Sequence, residues 1–254
     1  MKNFLEILLK DQTTGNNILW ANVEHGATEI QIADVYSIRP RHEKNREDQK
    51  LRTRERAEIF TPPEVCKLQN DLVCDERDWQ KFIDAKFLEI TCGEAPYLVS
   101  RYNAVTGEPI EIKNRIGLLD RKFHVIREYN QPVGQWCPLA IRAVQSCYGY
   151  EFQGDNLFLA RRNVFETVVE YFMQEFSRKV PEDFLIAVAE IISWNFWQMD
   201  GLKNTIPYAK PPKNPNQLSL FEPAPPENIF CQIMDWATGK PFEFRKLVSK
   251  GGRR

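Results

Sequence analysis

Apolar residues along this chain recur at two periods. Over 155–178, DNLFLARRNVFETVVEYFMQEFSR sets Leu157, Ala160, Val164, Val168 and Phe172 on one face of a helix. PEDFLIAVAEII predicts a second helix at 181–192, with Pro181 at its start. TPPEVCKLQNDLV at 61–73 carries a third stripe, Val65, Leu68, Leu72 and Val73, behind Thr61 as N-cap and Pro62 at the first helical position. GLLDRKFHVIREY and PLAIRAVQSC share the helical period. Shorter runs predict strands at about 86–92, 149–153 and 194–198, side by side and parallel, with the 155–178 helix packed across them. ILWANV and TEIQIADVYS are candidate edge segments, and TGEPIEI reads as an exposed hairpin or loop. Strands alternating with helices imply an open α/β sheet.

Proline and asparagine change the texture at 207–228, PYAKPPKNPNQLSLFEPAPPEN, and forbid regular structure over most of it. Four regions follow: a charged extension at 1–58, a core at 59–206, the loop at 207–228, and a C-terminal strand and tail at 229–254. A net charge of −1 gives no global attraction for nucleic acid, so any such contact needs a local basic patch. The one candidate is RPRHEKNREDQKLRTRERAE at 39–58. It reads either as a solvated helix laced with ion pairs or as a phosphate contact through Arg52, Arg54 and Arg56. No apolar run approaches a membrane span, and MKNFLEILLKDQ is too short and interrupted for a secretory signal, so a cytoplasmic location is expected. The six cysteines form no C-x2-C pair and the three histidines lie far apart; reduced thiols and no metal site are expected.

An adenosyl cofactor needs a tight turn, an acid for its ribose hydroxyls, a polar partner for the adenine amine and apolar walls, all beyond the carboxyl ends of parallel strands. Gly93 follows KFLEITC and can take such a turn, while Glu89 and Glu94 flank it and can face a positive group. Glu151 ends the strand YGYE and can accept from ribose. Asp200 ends WNFWQM and can accept from adenine, and Phe152 and Trp197 can wall the ring. Each residue also has a plain reading: a turn glycine, a salt-bridge carboxylate, an Asp-Gly turn.

Taken in order, residues from about 52 to about 202 resemble the gamma-type adenine-N6 DNA methyltransferases, the group that includes modification subunits of restriction systems. The resemblance implies a Rossmann-like sheet with helices on both faces, S-adenosylmethionine (SAM) as cofactor and DNA as partner. It assigns Phe60, Thr61 and Pro62 to the methionine end of SAM, and Glu89, Cys92 and Gly93 to the family's acid-x-x-Cys-Gly turn. Glu151 takes the place of the ribose-binding acid, followed by a matching Leu159-Ala160-Arg161, and Asp200 with Leu202 takes that of the adenine-contacting segment. The chain departs from the family in three places. The usual Asp is Glu89, the second Gly of the turn is Ala95 followed by Pro96, and a long excursion at 97–148 precedes the acid strand. A methyl group at a position of positive φ is expected to crowd the cofactor.

The family's Asn/Asp-Pro-Pro-Tyr/Phe motif, which holds the target amine, appears nowhere. Two stand-ins are Asn195 ahead of its aromatics, and Asp235 with Trp236 at the end of the strand-like run 228–234. The chain reaches Arg254 before the further strands of a full methyltransferase sheet. Three functions follow: an adenine-N6 methyltransferase that needs a second methyltransferase or restriction subunit, an inactive relative acting through SAM, DNA or a partner, or another SAM- or nucleotide-using enzyme. Gln217, Leu218, Leu220 and Phe221, in QLSLF, resemble the peptide by which bacterial replication and repair proteins dock on the DNA sliding clamp. Leu218, Leu220 and Phe221 also read as anchors that pin the loop onto the chain's own core.

Overall fold

A computed structural model describes residues 2–129, 132–208 and 228–251. The QLSLF segment at 217–221 lies outside them. In chain order the helices are α1 (Lys2–Leu9), α2 (Arg46–Arg56), α3 (Pro63–Val73), α4 (Trp79–Asp84), α5 (Leu118–Glu128), α6 (Val133–Gln145), α7 (Gly154–Phe176), α8 (Glu182–Asn195) and α9 (Arg245–Gly251). The strands are β1 (Phe87–Glu89), β2 (Cys147–Glu151), β3 (Phe196–Gln198), β4 (Gln232–Asp235) and β5 (Lys240–Glu243).

β1, β2 and β3 form a parallel sheet in that spatial order, with Leu88 opposite Tyr148 and Tyr150 opposite Trp197. β4 and β5 form a separate antiparallel hairpin. Alternation along β2 sorts its side chains between two cores. Cys147 joins the helical core with Leu157, Ala160, Val164, Val168 and Phe172 of α7, all fully buried. Tyr148 and Tyr150 join a smaller cluster with Trp197, Ile233 and Phe244. The hairpin thus covers the face on which the resemblance implies a second helical layer. Among the described residues, no helix is long and apolar enough to cross a membrane.

Several boundaries differ from the sequence reading. β1 stops at Glu89 because Thr91 takes a left-handed conformation, φ +47°. α8 runs on to Asn195, so β3 starts two residues later than expected. Pro62, not Thr61, is the N-cap of α3, and Pro63 opens the helix. The stripe expected to bury α3 is exposed; the helix buries Cys66 and Asn70 instead. Asn70 Nδ2 donates to Tyr97 O at 2.9 Å and Ile116 O at 3.2 Å. The candidate strands near the N-terminus reduce to isolated bridges such as Leu19 with Glu29.

Arg161 joins these parts. Fully buried in α7, it donates through Nε to Phe196 O at 2.8 Å and through Nη2 to Ser193 O at 3.1 Å. Nη1 donates to Leu8 O at 2.7 Å and Lys10 O at 2.9 Å. Burial lowers its pKa to about 10, so it remains charged at neutral pH. Arg161→Ala leaves four backbone carbonyls without their donor. We expect a loss of roughly 3–5 kcal/mol, read from urea melts against wild type.

Candidate functional site

A cavity of about 580 Å³ opens at the carboxyl end of β1, beside α3. Phe60, Thr61, Glu89, Cys92 and Gly93 all line it. Its volume falls in the range of small-molecule sites, ~300–1,000 Å³. Thr91, Cys92 and Gly93 build its floor as part of a tight turn at 91–95. Thr91, Gly93 and Ala95 are all left-handed there, with φ of +47°, +54° and +63°. A Cβ on Gly93 would sit 3.5 Å from the Phe60 ring, an ordinary contact, so the backbone angle and not space favours glycine. Ala95 holds its strained angle while fully buried in the helical core. Its methyl is outside the cavity wall, so the expected crowding does not arise; Pro96 lines the cavity in its place.

Glu151 fixes this turn. Its Oε2 accepts the Gly93 N–H at 2.9 Å, and its Oε1 accepts those of Phe152 at 2.9 Å and Gln153 at 3.0 Å. Burial raises its pKa, and the three donors oppose that shift. A carboxylate has about four acceptor positions. With three taken, and with Glu151 itself outside the cavity lining, the pair of ribose contacts expected from sequence is not formed here; Glu151 holds the turn.

Glu89 is the opposite case. Its Oε1 accepts the Tyr97 N–H at 3.3 Å, but its Oε2 is buried with no hydrogen-bond partner. Burial pushes its pKa up to about 8. A positively charged or amino-bearing ligand in the cavity satisfies that oxygen and restores the ionised form. The remaining polar wall comes from Thr61, Gln69 and Asn70, and the apolar wall from Phe60, Tyr97 and Leu118. Sequence reasoning missed Tyr97 and Asn70. The single hint was their position just after the turn and on the helix behind the FTPP segment.

Other expected site residues sit elsewhere. Glu94 is buried on the far side of the turn, where it accepts the Arg41 N–H at 2.7 Å and the Tyr102 hydroxyl. It shapes the loop and does not face the cavity. Phe152 carries Arg56 on its ring at 5.5 Å and the edge of Tyr208 at 5.8 Å. Asp200 lies past the end of β3, where Oδ1 accepts the N–H groups of Leu202 at 3.1 Å and Lys203 at 3.2 Å. Neither Phe152 nor Asp200 lines the cavity. Pro62 adjoins it only through Thr61.

Arg52 is withdrawn from phosphate contact. It is buried, 2.7 Å from Glu58 and 2.9 Å from Asp155. Burial works against its charge, but the two acids outweigh that and hold its pKa above the ordinary value. Asn156 Nδ2 and Gln153 Nε2 also donate to Glu58, at 3.0 and 3.1 Å. The charged segment therefore reaches into the core through Arg52 and ties α2 to the start of α7. Arg56 Nη2 donates to Tyr208 at 3.1 Å. Arg54 is exposed, 2.8 Å from Glu55.

The catalytic stand-ins are structural. Asn195 is fully buried and donates to Val144 O, Gln145 O and Cys147 O at 3.0–3.1 Å. Its Oδ1 accepts Trp236 Nε1–H at 2.8 Å. Asp235 closes the hairpin turn, accepting the Ala237 N–H at 3.0 Å and the Thr238 hydroxyl at 2.9 Å. None of the three lines the cavity at β1. Compared with protein-family models, curated proteins and solved structures, the chain matches none.

The pKa of Glu89 gives a test of the cavity. The folded chain holds a proton that the unfolded chain has released between pH 4.5 and 8. Stability contributed by this group is therefore lost as pH rises through that window. Urea melts at pH 5, 6.5 and 8 should show Glu89→Gln gaining on wild type, by up to ~1.4 kcal/mol per pH unit. A difference independent of pH would mean that Glu89 is not held protonated.

Proposed function

We propose that this chain is a SAM-binding protein of the adenine-N6 DNA methyltransferase type. A second methyltransferase or restriction subunit supplies the group that holds the target amine. One observation carries the reading: Phe60 and Thr61, some thirty residues before Gly93, line the same cavity as Glu89, Cys92 and Gly93. That cavity also contains an acid with an unpartnered buried oxygen. These residues suit the cationic amino-acid end of SAM. Glu151 supports the site from behind, through its bond to the Gly93 N–H, and does not itself line the cavity. Among the described residues, Arg54 is the exposed member of the basic trio, paired only with its neighbour Glu55, and the one suited to DNA. A sliding clamp engaging 217–221 completes the proposed set of partners.

A second reading is a binding protein without catalysis of its own. The bond between Asn195 and Trp236 and the turn role of Asp235 favour it. In both readings the cavity takes SAM.

Titration calorimetry with SAM and S-adenosylhomocysteine is the direct test. Wild type should bind both. Glu89→Gln should weaken SAM by about tenfold or more, because a hydrogen bond to a charged group contributes ~1.5–3 kcal/mol. A wild-type protein that takes up neither compound removes the proposal. Labelled methyl transfer onto duplex DNA separates the two readings. The chain alone should be inactive, and activity restored by an added subunit and lost in Glu89→Gln selects the first.

A further inference from the structure

β1 lies at the edge of its sheet. β2 occupies one side, and no described strand occupies the other. Phe87 gives its N–H to Ser146 O at 2.9 Å, on the β2 side. In a parallel ladder the intervening residue, Leu88, then turns its N–H and C=O to the open side. Open edges of this kind are ordinarily blunted by charge, proline or a covering loop. Here the edge past the exposed Lys86 is apolar: Leu88 is 43% exposed and Ile90 63%.

Apolar surface continues to both sides. Val65, Leu68, Leu72 and Val73 of α3 are each at least 40% exposed, and at helical spacing they form one arc with Gln69. Val73 lines the cavity with Leu88 and Ile90, which makes the arc continuous with the β1 edge; Ile59, 75% exposed, borders the same opening. On the other face, Leu88 shares a cleft of about 400 Å³ with Phe242 and with Leu247 of α9. The seven apolar side chains on the α3 side present on the order of 700 Å². Monomers ordinarily expose a few hundred, and a stable interface covers about 800 per partner.

We propose that this edge joins two copies of the chain. The β1 strands pair antiparallel about a two-fold axis at Leu88, giving a continuous six-stranded sheet. A two-fold contact is self-complementary, so the exposed arc of α3 meets its own mate. In this register Lys86 lies opposite Ile90 of the partner subunit, so the two Lys86 charges do not face each other. The partner also covers the open lip of the cavity at Ile59, Leu88 and Ile90. That last consequence concerns the SAM site, whereas the pairing itself does not depend on it.

Sedimentation equilibrium of the full chain across roughly 1–100 µM tests the pairing. Wild type should be dimeric. Leu68→Lys with Leu72→Lys, on an exposed face outside the cavity wall, should weaken the dimer at least about tenfold, with far-UV circular dichroism unchanged. Leu88→Pro should do the same, since it removes only an outward N–H. If the proline variant fails to fold, the lysine pair still decides. A monomeric wild type overturns the proposal, whether the edge is covered by the chain's own residues, by another protein or by nucleic acid. A dimer that persists in the lysine pair overturns it too. SAM calorimetry on the same samples keeps the readings apart: a monomer that binds SAM defeats the dimer alone.

Discussion

The guanidinium of Arg161 is fully buried, and it holds together the segments that the sheet is too small to organise. The three parallel strands contain three, five and three residues. So few ladder bonds cannot place α1, α8 and the loops around them. Buried side chains take over that work by binding backbone. Arg161 binds carbonyls from α1, the segment after it, α8 and β3. Gln198 binds both backbone groups of Leu19 at 2.7 Å, like a further strand at the edge of β3. Lys122 Nζ donates to Ile83 O, Ala85 O and Ser146 Oγ, which fixes the entry to β1 against the start of β2. Most of these contacts satisfy backbone groups that burial would otherwise leave unpaired.

The same logic divides the two acids of the site. Glu151 is satisfied by protein, since three backbone donors converge on it. Glu89 is not: one oxygen has a single backbone donor and the other has none. A ligand adds little where donors are already in place and much where an acceptor is stranded in an apolar wall. The acid that positions the turn is thus distinct from the acid best placed to select the ligand. Sequence position alone suggests the reverse, because the acid after β2 has the more familiar role.

What the sequence disclosed follows from periodicity. The long stripe from Leu157 to Phe172 and the apolar runs at β1, β2 and β3 gave those elements and their parallel order. Phe60, Thr61, Glu89, Cys92 and Gly93 line one cavity, whereas Glu151 and Asp200, expected to join them, do not line it. Long-range polar pairing was hidden. Arg52 in an alternating charged run looks solvated, and nothing local says that Glu58 and Asp155 will close on it. Val65, Leu68 and Leu72 have the spacing of a buried face, yet Asn70 turns the helix by bonding Tyr97 and Ile116. Periodicity says that a face is apolar; it does not say whether the chain itself covers that face.

The hairpin settles the chemistry that Asn195 can perform. Its two N–H donors are shared among three backbone carbonyls, and its oxygen accepts from Trp236. To present that amide to a substrate, its two N–H donors and its accepting oxygen must all give up their partners in a fully buried site, each at about 1–3 kcal/mol. Trp236 would lose its indole partner in the same event, and the hairpin would lose its anchor on α8. The sum approaches the whole stability of an ordinary domain, ~5–15 kcal/mol. Asn195 and Trp236 therefore cannot serve the fold and a transferring methyl group together. Under the methyltransferase reading, the amine-holding group has to come from somewhere other than this pair.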